Sequence, residues 1–345
     1  MLPSISVMVA AATLAAACAL TVPSRGAAPP CGGSPLALPA PAATCLPADA
    51  AAPQPAGVIR TALARATSTD TVRATEQASK QTLGKPSVRI AIVDTGVTPL
   101  LALAANIKGG YDLVDGTPAR DDGNGHGTAM ASIAAARPGN RTGMTGVCSL
   151  CTIVPVQVVG NGGFGTTALA TAGIRWAIAD RVNVINVSLT SPTDDPSLDA
   201  AIEDAAAQGI VVVLAAGNDA STDPSTGGYP AAATPDAISV AGADASGHLF
   251  PWSNHGPWVQ IAAPGALPAL TLKGRVFSAA GTSASAAFVS GAVGLVLSAN
   301  PLLTPAQVQS ILLTTGTPVP GLDVQSGRMI DVQAAVAAAA AAAAA

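Results

Sequence analysis

An acid, an imidazole and a hydroxyl together let a neutral alcohol attack a carbonyl, and three separate stretches of this 345-residue chain supply one each. Asp94 stands in Ile92-Val93-Asp94-Thr95-Gly96, His126 in Gly125-His126-Gly127-Thr128, and Ser283 in Gly281-Thr282-Ser283. Asn218, in Ala215-Ala216-Gly217-Asn218, adds an amide donor suited to an oxygen that gains negative charge during attack. Singly each stretch is weak: Asp-Thr-Gly also occurs in aspartic proteases, and Gly-Thr-Ser is common in loops. His126 carries the most information, because the chain has only three histidines and this one is flanked by glycines that let the backbone turn its ring into a cleft. His248 and His255 lack such surroundings and read as surface or loop residues.

The elements between these residues alternate in texture. Apolar runs at Val88–Val93, Ile153–Val159, Val182–Ser188 and Ile210–Ala215 read as strands, with helical stretches at His126–Ala136, Thr166–Asp180 and Ser197–Gln208. Continuous Val and Ile suit a sheet buried on both faces, and the helices are long enough for parallel crossovers. The expected fold is therefore α/β, a doubly wound and mainly parallel sheet flanked by helices. Such sheets bind ligands at the carboxyl ends of their strands. Asp94 closes one strand, Ser188 closes another, and Asn218 follows a third after a glycine, so the chemistry converges on one edge. Ser283 opens the small-residue segment Thr282–Ser298, with Gly291 and Gly294 as close-packing positions, and a helix start there offers free N–H groups and the positive dipole end. The last capped helix is expected after Thr304-Pro305, running to about Thr315.

In order and surroundings these motifs resemble the subtilisin-like serine peptidases, in texture the thermitase-like members, from about Val88 to about Ala335. The resemblance implies an endopeptidase acting through an acyl-enzyme, with Ser283 as nucleophile, His126 as base and acid, Asp94 as its orienting partner and Asn218 as oxyanion donor. It implies that an extended peptide is held by Ser188-Leu189-Thr190 on one side and Gly160 to Phe164 on the other, with Ala216 and Gly217 beside the oxyanion donor. Thr190 stands where the family has glycine. The family's Gly-Thr-Ser-Met-Ala-x-Pro-His becomes Gly281-Thr282-Ser283-Ala284-Ser285-Ala286-Ala287-Phe288, and its His-Gly-Thr-His becomes His126-Gly127-Thr128-Ala129. No cofactor is implied for catalysis. Structural calcium is implied at Asn140 with carbonyls of Pro138, Thr142 and Met144, although the usual acid near Leu100 and Leu101 is missing; Asp112 and Asp121 form a second candidate. Two rivals remain: a catalytically silent peptide-binding or envelope protein that keeps the fold, supported by the altered surroundings of Ser283 and His126, and a processing or macrocyclising relative, for which no water-excluding feature is visible.

Composition narrows the partners. Charged residues make up 10% and the net charge is −4, so nothing points to nucleic acid or a polybasic membrane contact, and a monomer acting on peptides is expected. Met1–Leu20 is apolar and reads as an export signal, leaving no membrane span once cleaved, in a secreted or cell-envelope protein. Lipid attachment at Cys18 is the alternative, but Ala15 stands where an aliphatic residue is usual. Residues 21–85 form an Ala/Pro-rich extension or short propeptide with one short helix expected between Ile59 and Gln81, residues 86–335 the peptidase domain, and residues 336–345 a poly-Ala tail. Four cysteines remain beyond the signal, and in an exported chain Cys31 with Cys45 and Cys148 with Cys151 suggest disulfides. The C-x-x-C spacing also occurs in zinc and redox sites, but no second pair or histidine cluster accompanies it.

Overall fold

The computed structural model describes residues 45–47, 83–118 and 121–344. The export signal, lipid-attachment, Cys31–Cys45 and early-helix readings therefore lie outside the described residues or rest on partners there. In chain order the elements are β1 (Cys45–Pro47), β2 (Arg89–Asp94), β3 (Tyr111–Asp112), α1 (His126–Ala135), β4 (Thr152–Gln157), β5 (Phe164–Thr166), α2 (Thr167–Ala179), β6 (Val184–Val187) and α3 (Pro196–Ala207). There follow β7 (Val211–Ala215), β8 (Ile238–Ala243), β9 (Ile261–Pro264), β10 (Ala266–Leu270), β11 (Val276–Ala280), α4 (Thr282–Ala299), α5 (Pro305–Thr315), β12 (Thr317–Pro318), β13 (Arg328–Met329) and α6 (Val332–Ala343).

Nine strands form one sheet in the order β12-β13-β9-β8-β7-β6-β2-β4-β3, parallel except for the β12–β13 edge pair. The period of two along each strand divides the core. On β2, Ile90 and Ile92 face a cluster built with α1, α4 and α6, whereas Ala91 and Val93 face a second cluster built with α2 and α3. Both faces are dry, as a parallel sheet with helical crossovers demands. This is the doubly wound architecture expected from the alternating texture.

Helix α4 runs through the middle of the larger cluster, with every residue from Thr282 to Ser298 buried. Among the described residues it is the one helix long and apolar enough to cross a membrane, but 94% of it is enclosed by protein. Its glycines are contact points: a Cβ at Gly294 would meet Cys151 Sγ at 3.0 Å and Cys148 Sγ at 3.1 Å, and one at Gly291 would meet Val147 Cβ at 2.7 Å. Cys148 and Cys151 are paired as a disulfide, and both are fully buried under this helix.

Two expectations change at the C-terminal end. Helix α5 starts as read, with Pro305 in its first turn and a capping box between Thr304 and Gln307. The Ala run beyond Asp331, however, belongs to a packed helix: the Asp331 carboxylate accepts from Ala334 N, and Ala335, Val336 and Ala339 are buried in the larger cluster. Residues 336–343 thus continue α6, because Ala has the best intrinsic helix propensity and a small side chain that lets the helix lie close to α4.

Candidate active site

The strand ends do converge. β2 ends at Asp94, β6 ends one residue before Ser188, and β7 ends at Ala215, three residues before Asn218. Asp94 is fully buried and its two carboxylate oxygens each lie 2.8 Å from His126 Nδ1. Thr95 N donates to Asp94 Oδ1 at 2.7 Å, which fixes the carboxylate plane. His126 is the first residue of α1, and that helix start presses directly on the end of β2: a Cβ on Gly127 would lie 2.2 Å from Gly96 O and 3.2 Å from Asp94 Oδ1. Only glycine permits that approach.

The start of α1 is satisfied from outside. Its N-cap, Gly125, has no side chain to offer, so His126 N donates to Asn124 Oδ1, Gly127 N to Thr95 Oγ1 and Thr128 N to Asp122 Oδ2. Four of the helix's first N–H groups ordinarily need such partners. Asp122 has not been given a role by the sequence reading, and neither have Thr95 and Thr128. Their signal was present: an acid three residues before a glycine N-cap, where a helix start lacks its usual capping side chain.

Ser283 is the second residue of α4 and is 2% exposed, with Oγ 3.4 Å from Ser188 O. Asn186 Nδ2 donates to Ser188 Oγ at 2.9 Å, and Asn186 Oδ1 accepts from Ser290 Oγ at 2.9 Å, which ties β6 to α4 one turn and more beyond Ser283. Asn218 and Ser283 are coupled through Thr282. Thr282 N donates to Asn218 Oδ1 at 2.9 Å, and Thr282 Oγ1 accepts from Gly217 N at 3.0 Å. With its oxygen engaged by Thr282, the Asn218 side chain has its NH₂ group as the remaining donor.

The loop that carries Asn218 is held by Asn254, also missed in the sequence and 0% exposed. Asn254 Nδ2 donates to Ala216 O at 3.0 Å, Asn254 Oδ1 accepts from Asp219 N at 2.9 Å and Ser221 N at 3.1 Å, and Asn254 N donates to Gly217 O at 2.9 Å. Gly217 has φ 104°, and a Cβ there would strike Asn254 Nδ2 and Gly227 O, each at 2.4 Å. Ala216 is fully buried and so accounts for loop packing.

Of the segments expected to hold a peptide, Ser188, Leu189 and Thr190 are buried at 0%, 1% and 7% exposure, while Phe164 is 51% exposed. Gly160 to Gly163 is a turn, closed by Gly160 N to Phe164 O at 3.0 Å, and the extended edge is β5, Phe164–Thr166. That edge pairs antiparallel with β1, Cys45 opposite Thr166 and Pro47 opposite Phe164.

The two loops read as cation sites are closed by their own hydrogen bonds. Asn140 Nδ2 donates to Met144 O at 2.7 Å and to Arg137 O, and its Oδ1 accepts from Thr142 N and Thr142 Oγ1. An amide hydrogen thus faces Met144 O, one of the carbonyls that a cation would need. Asp112 Oδ1 accepts from Val114 N and Asp115 N as a turn cap, and Asp121 is exposed. Among the described residues no three His, Cys, Asp or Glu side chains gather as a metal set. As arranged, neither loop fits the ion.

Comparison with known proteins agrees with this geometry. The family model of the subtilases matches residues 85–328. Subtilisin DY of Bacillus licheniformis is 35% identical over 253 residues, covering 72% of this chain and 90% of that protein. Subtilisin Savinase of Lederbergia lenta is 32% identical, again over 72% of this chain and 90% of its own length. Among solved structures, a protease from Pseudoalteromonas arctica superposes with a TM-score of 0.67 at 30% identity, covering 77% of this chain and 93% of that one. A sheet of this topology, with Asp94 against His126 at its carboxyl edge and subtilisins as relatives over most of its length, places the chain in the subtilase family of serine endopeptidases.

Proposed function

We propose that the chain hydrolyses peptide bonds through an Asp94–His126–Ser283 triad with Asn218 and the Ser283 backbone N–H as oxyanion donors. The observation that carries this reading is the 2.8 Å contact of His126 Nδ1 with the Asp94 carboxylate, which leaves Nε2 as the ring's basic nitrogen. In the first step Ser283 Oγ attacks the carbonyl carbon while His126 Nε2 takes the hydroxyl proton. The carbonyl oxygen becomes negative and is met by the Asn218 amide, whose orientation Thr282 sets. Collapse breaks the C–N bond, His126 returns the proton to the leaving amine, and water, deprotonated by His126, then cleaves the ester. Every group in this sequence belongs to the protein.

The substrate is an extended peptide that adds to the β5 edge, Phe164–Thr166, and to Ser188–Thr190, with its main chain giving affinity and its side chains selectivity. The pairing of β1 with β5 supports that use of the edge, since the chain's own extended segment already adopts it. Thr190, at 7% exposure, brings a β-branched side chain to the wall where relatives have glycine, so small or flat side chains are favoured at the cleaved bond. Export is supported by the apolar Met1–Leu20 segment and by the buried Cys148–Cys151 disulfide, a bond that persists in oxidising compartments.

A fluorophosphonate probe tests the reading directly. Wild-type protein becomes labelled at Ser283 and both Ser283→Ala and His126→Ala abolish labelling. Absence of labelling in the folded mature protein makes it a silent peptide binder instead.

A further inference from the structure

Asp122 is 4% exposed, yet it carries a carboxylate and lies outside the reacting groups. A buried carboxylate is tolerated when it is well supplied with hydrogen bonds, and this one accepts five. Oδ1 takes Thr95 Oγ1 at 2.9 Å, Asn124 N at 2.9 Å and Gly125 N at 2.7 Å, while Oδ2 takes Thr128 N at 2.9 Å and Thr128 Oγ1 at 2.7 Å. The five donors come from two places. Thr95 is the residue after Asp94 at the end of β2; Asn124, Gly125 and Thr128 bracket His126 at the start of α1. Thr95 Oγ1 also accepts from Gly127 N at 2.9 Å, and Thr128 Oγ1 accepts from Thr98 N at 2.9 Å, so each hydroxyl both donates to Asp122 and accepts from the opposite segment or its neighbour.

We propose that Asp122 is a positioning residue for the Asp94–His126 pair: its carboxylate, acting with the Thr95 and Thr128 hydroxyls, holds the end of β2 and the start of α1 in the one register that puts His126 Nδ1 against Asp94. This inference rests on the triad reading above. The reasoning is geometric. Asp94 and His126 are 32 residues apart and belong to different elements, so their 2.8 Å contact is only as constant as the junction between those elements. Asp94 alone cannot secure the junction, because its own carboxylate is occupied by the ring and by Thr95 N. Asp122 touches neither the ring nor the substrate edge, and every bond it accepts comes from a residue within two positions of Asp94 or His126. An amide cannot replace it, because turning one oxygen into a donor sets that donor against N–H or O–H groups on either side.

The test uses the full, active protein, with turnover of a chromogenic peptide amide normalised to fluorophosphonate-reactive Ser283. Thr95→Val keeps the shape of the side chain and removes the hydroxyl that joins Asp122 to Gly127 N. Its kcat falls on the order of 10- to 10²-fold with KM within about twofold, since a shift of the catalytic pair slows chemistry without touching the peptide edge. Thr95→Ser restores the rate, and Asp122→Asn falls at least as far as Thr95→Val. In an Asp94→Ala background, where there is no pair left to align, Thr95→Val costs less than about twofold. The proposal is overturned by an equal loss in both backgrounds, by a loss of Ser283 labelling that accounts for the whole rate change, or by Thr95→Ser failing to recover. If Ser283 were labelled normally while the triad contributed nothing to turnover, His126→Ala would keep its rate, which sinks the triad reading instead of the positioning one.

Discussion

Two loops bring catalytic groups to the sheet edge, and each is held by one buried side chain of a different kind. The loop before α1, which delivers His126, is gathered by the Asp122 carboxylate; the loop after β7, which delivers Asn218, is gathered by the Asn254 amide. The difference follows from what each loop offers. Around Asp122 everything to be held is a donor, N–H groups of a helix start and two hydroxyls, so an acceptor-only group fits. Around Asn254 the loop presents a carbonyl at Ala216 as well as the N–H groups of Asp219 and Ser221, and only a side chain with both functions closes it. Sequence position near a catalytic residue is therefore a poor guide to such holders, since Asn254 lies 36 residues after Asn218.

The largest expected effect separates the cargo of the two loops. His126→Ala removes the proton carrier and costs about 10⁶ in kcat, whereas Asn218→Ala removes one of two oxyanion donors and costs about 10²–10³ with KM nearly unchanged; both magnitudes are those known for subtilisin. Equal losses would mean that Asn218 does more than donate one hydrogen bond. Next in size is exchange of the holders. Asn254→Asp sets a carboxylate against Ala216 O and leaves that buried carbonyl without its donor, a loss of about 1–3 kcal/mol read by denaturant unfolding. The same substitution lowers kcat more than it alters KM, and an unchanged kcat would show that the Asn218 loop keeps its shape unaided.

A third loop extends the comparison. Asn140 closes its turn with an amide much as Asn254 does, donating to carbonyls and accepting from Thr142. A loop already closed by an amide gains little from a cation, so the melting temperature in millimolar calcium stays within ~10 °C of that in chelator. A larger rise would require the Asn140 amide to turn and surrender Met144 O. The smallest effect comes from a carboxylate that lacks what Asp122 has. Asp199, in the first turn of α3, is pushed up to about 7 by burial, by its hydrogen bond with Asp194 and by the charges of Asp194, Glu203 and Asp195. Its native pKa exceeds the unfolded value, so its contribution favours the fold below about pH 4 and is lost as pH rises toward 7. Asp199→Asn accordingly raises Tm by about 1–3 °C at pH 8 and by almost nothing at pH 4, the effect being kept small by its partial exposure.

How much of this could be read from residues alone depended on whether the deciding force was local. β2, α1, α2, α3 and β7 fall within a residue or two of their expected ends because Val and Ile runs and Ala-rich helical stretches carry their own period. Strands β8 and β9 escaped, since Ile238-Ser-Val-Ala-Gly-Ala and Ile261-Ala-Ala-Pro mix small residues without alternation and become strands through pairing with β7 and with each other. The hairpin of β10 and β11 is likewise fixed by its partner strand. The reacting groups were legible because their glycine-rich surroundings are local, whereas Asp122 and Asn254 act through contacts that no spacing rule encodes. The cation loops were misjudged for a related reason: Asn140 has the right atoms for a ligand, and only the folded loop reveals that they serve one another.

The antiparallel pairing of β1 with β5 has a kinetic consequence. A segment tied to the rest of the chain through residues 48–82 competes for the β5 edge at an effective concentration on the order of millimolar, which dilution of the protein does not change. With a peptide as rival, the result is a KM raised by the same factor at every enzyme concentration while kcat is untouched. A nick anywhere between Pro47 and Leu83 turns that constant factor into one that fades as the released piece is diluted, so proteolytic trimming and simple dilution become distinguishable in a progress curve.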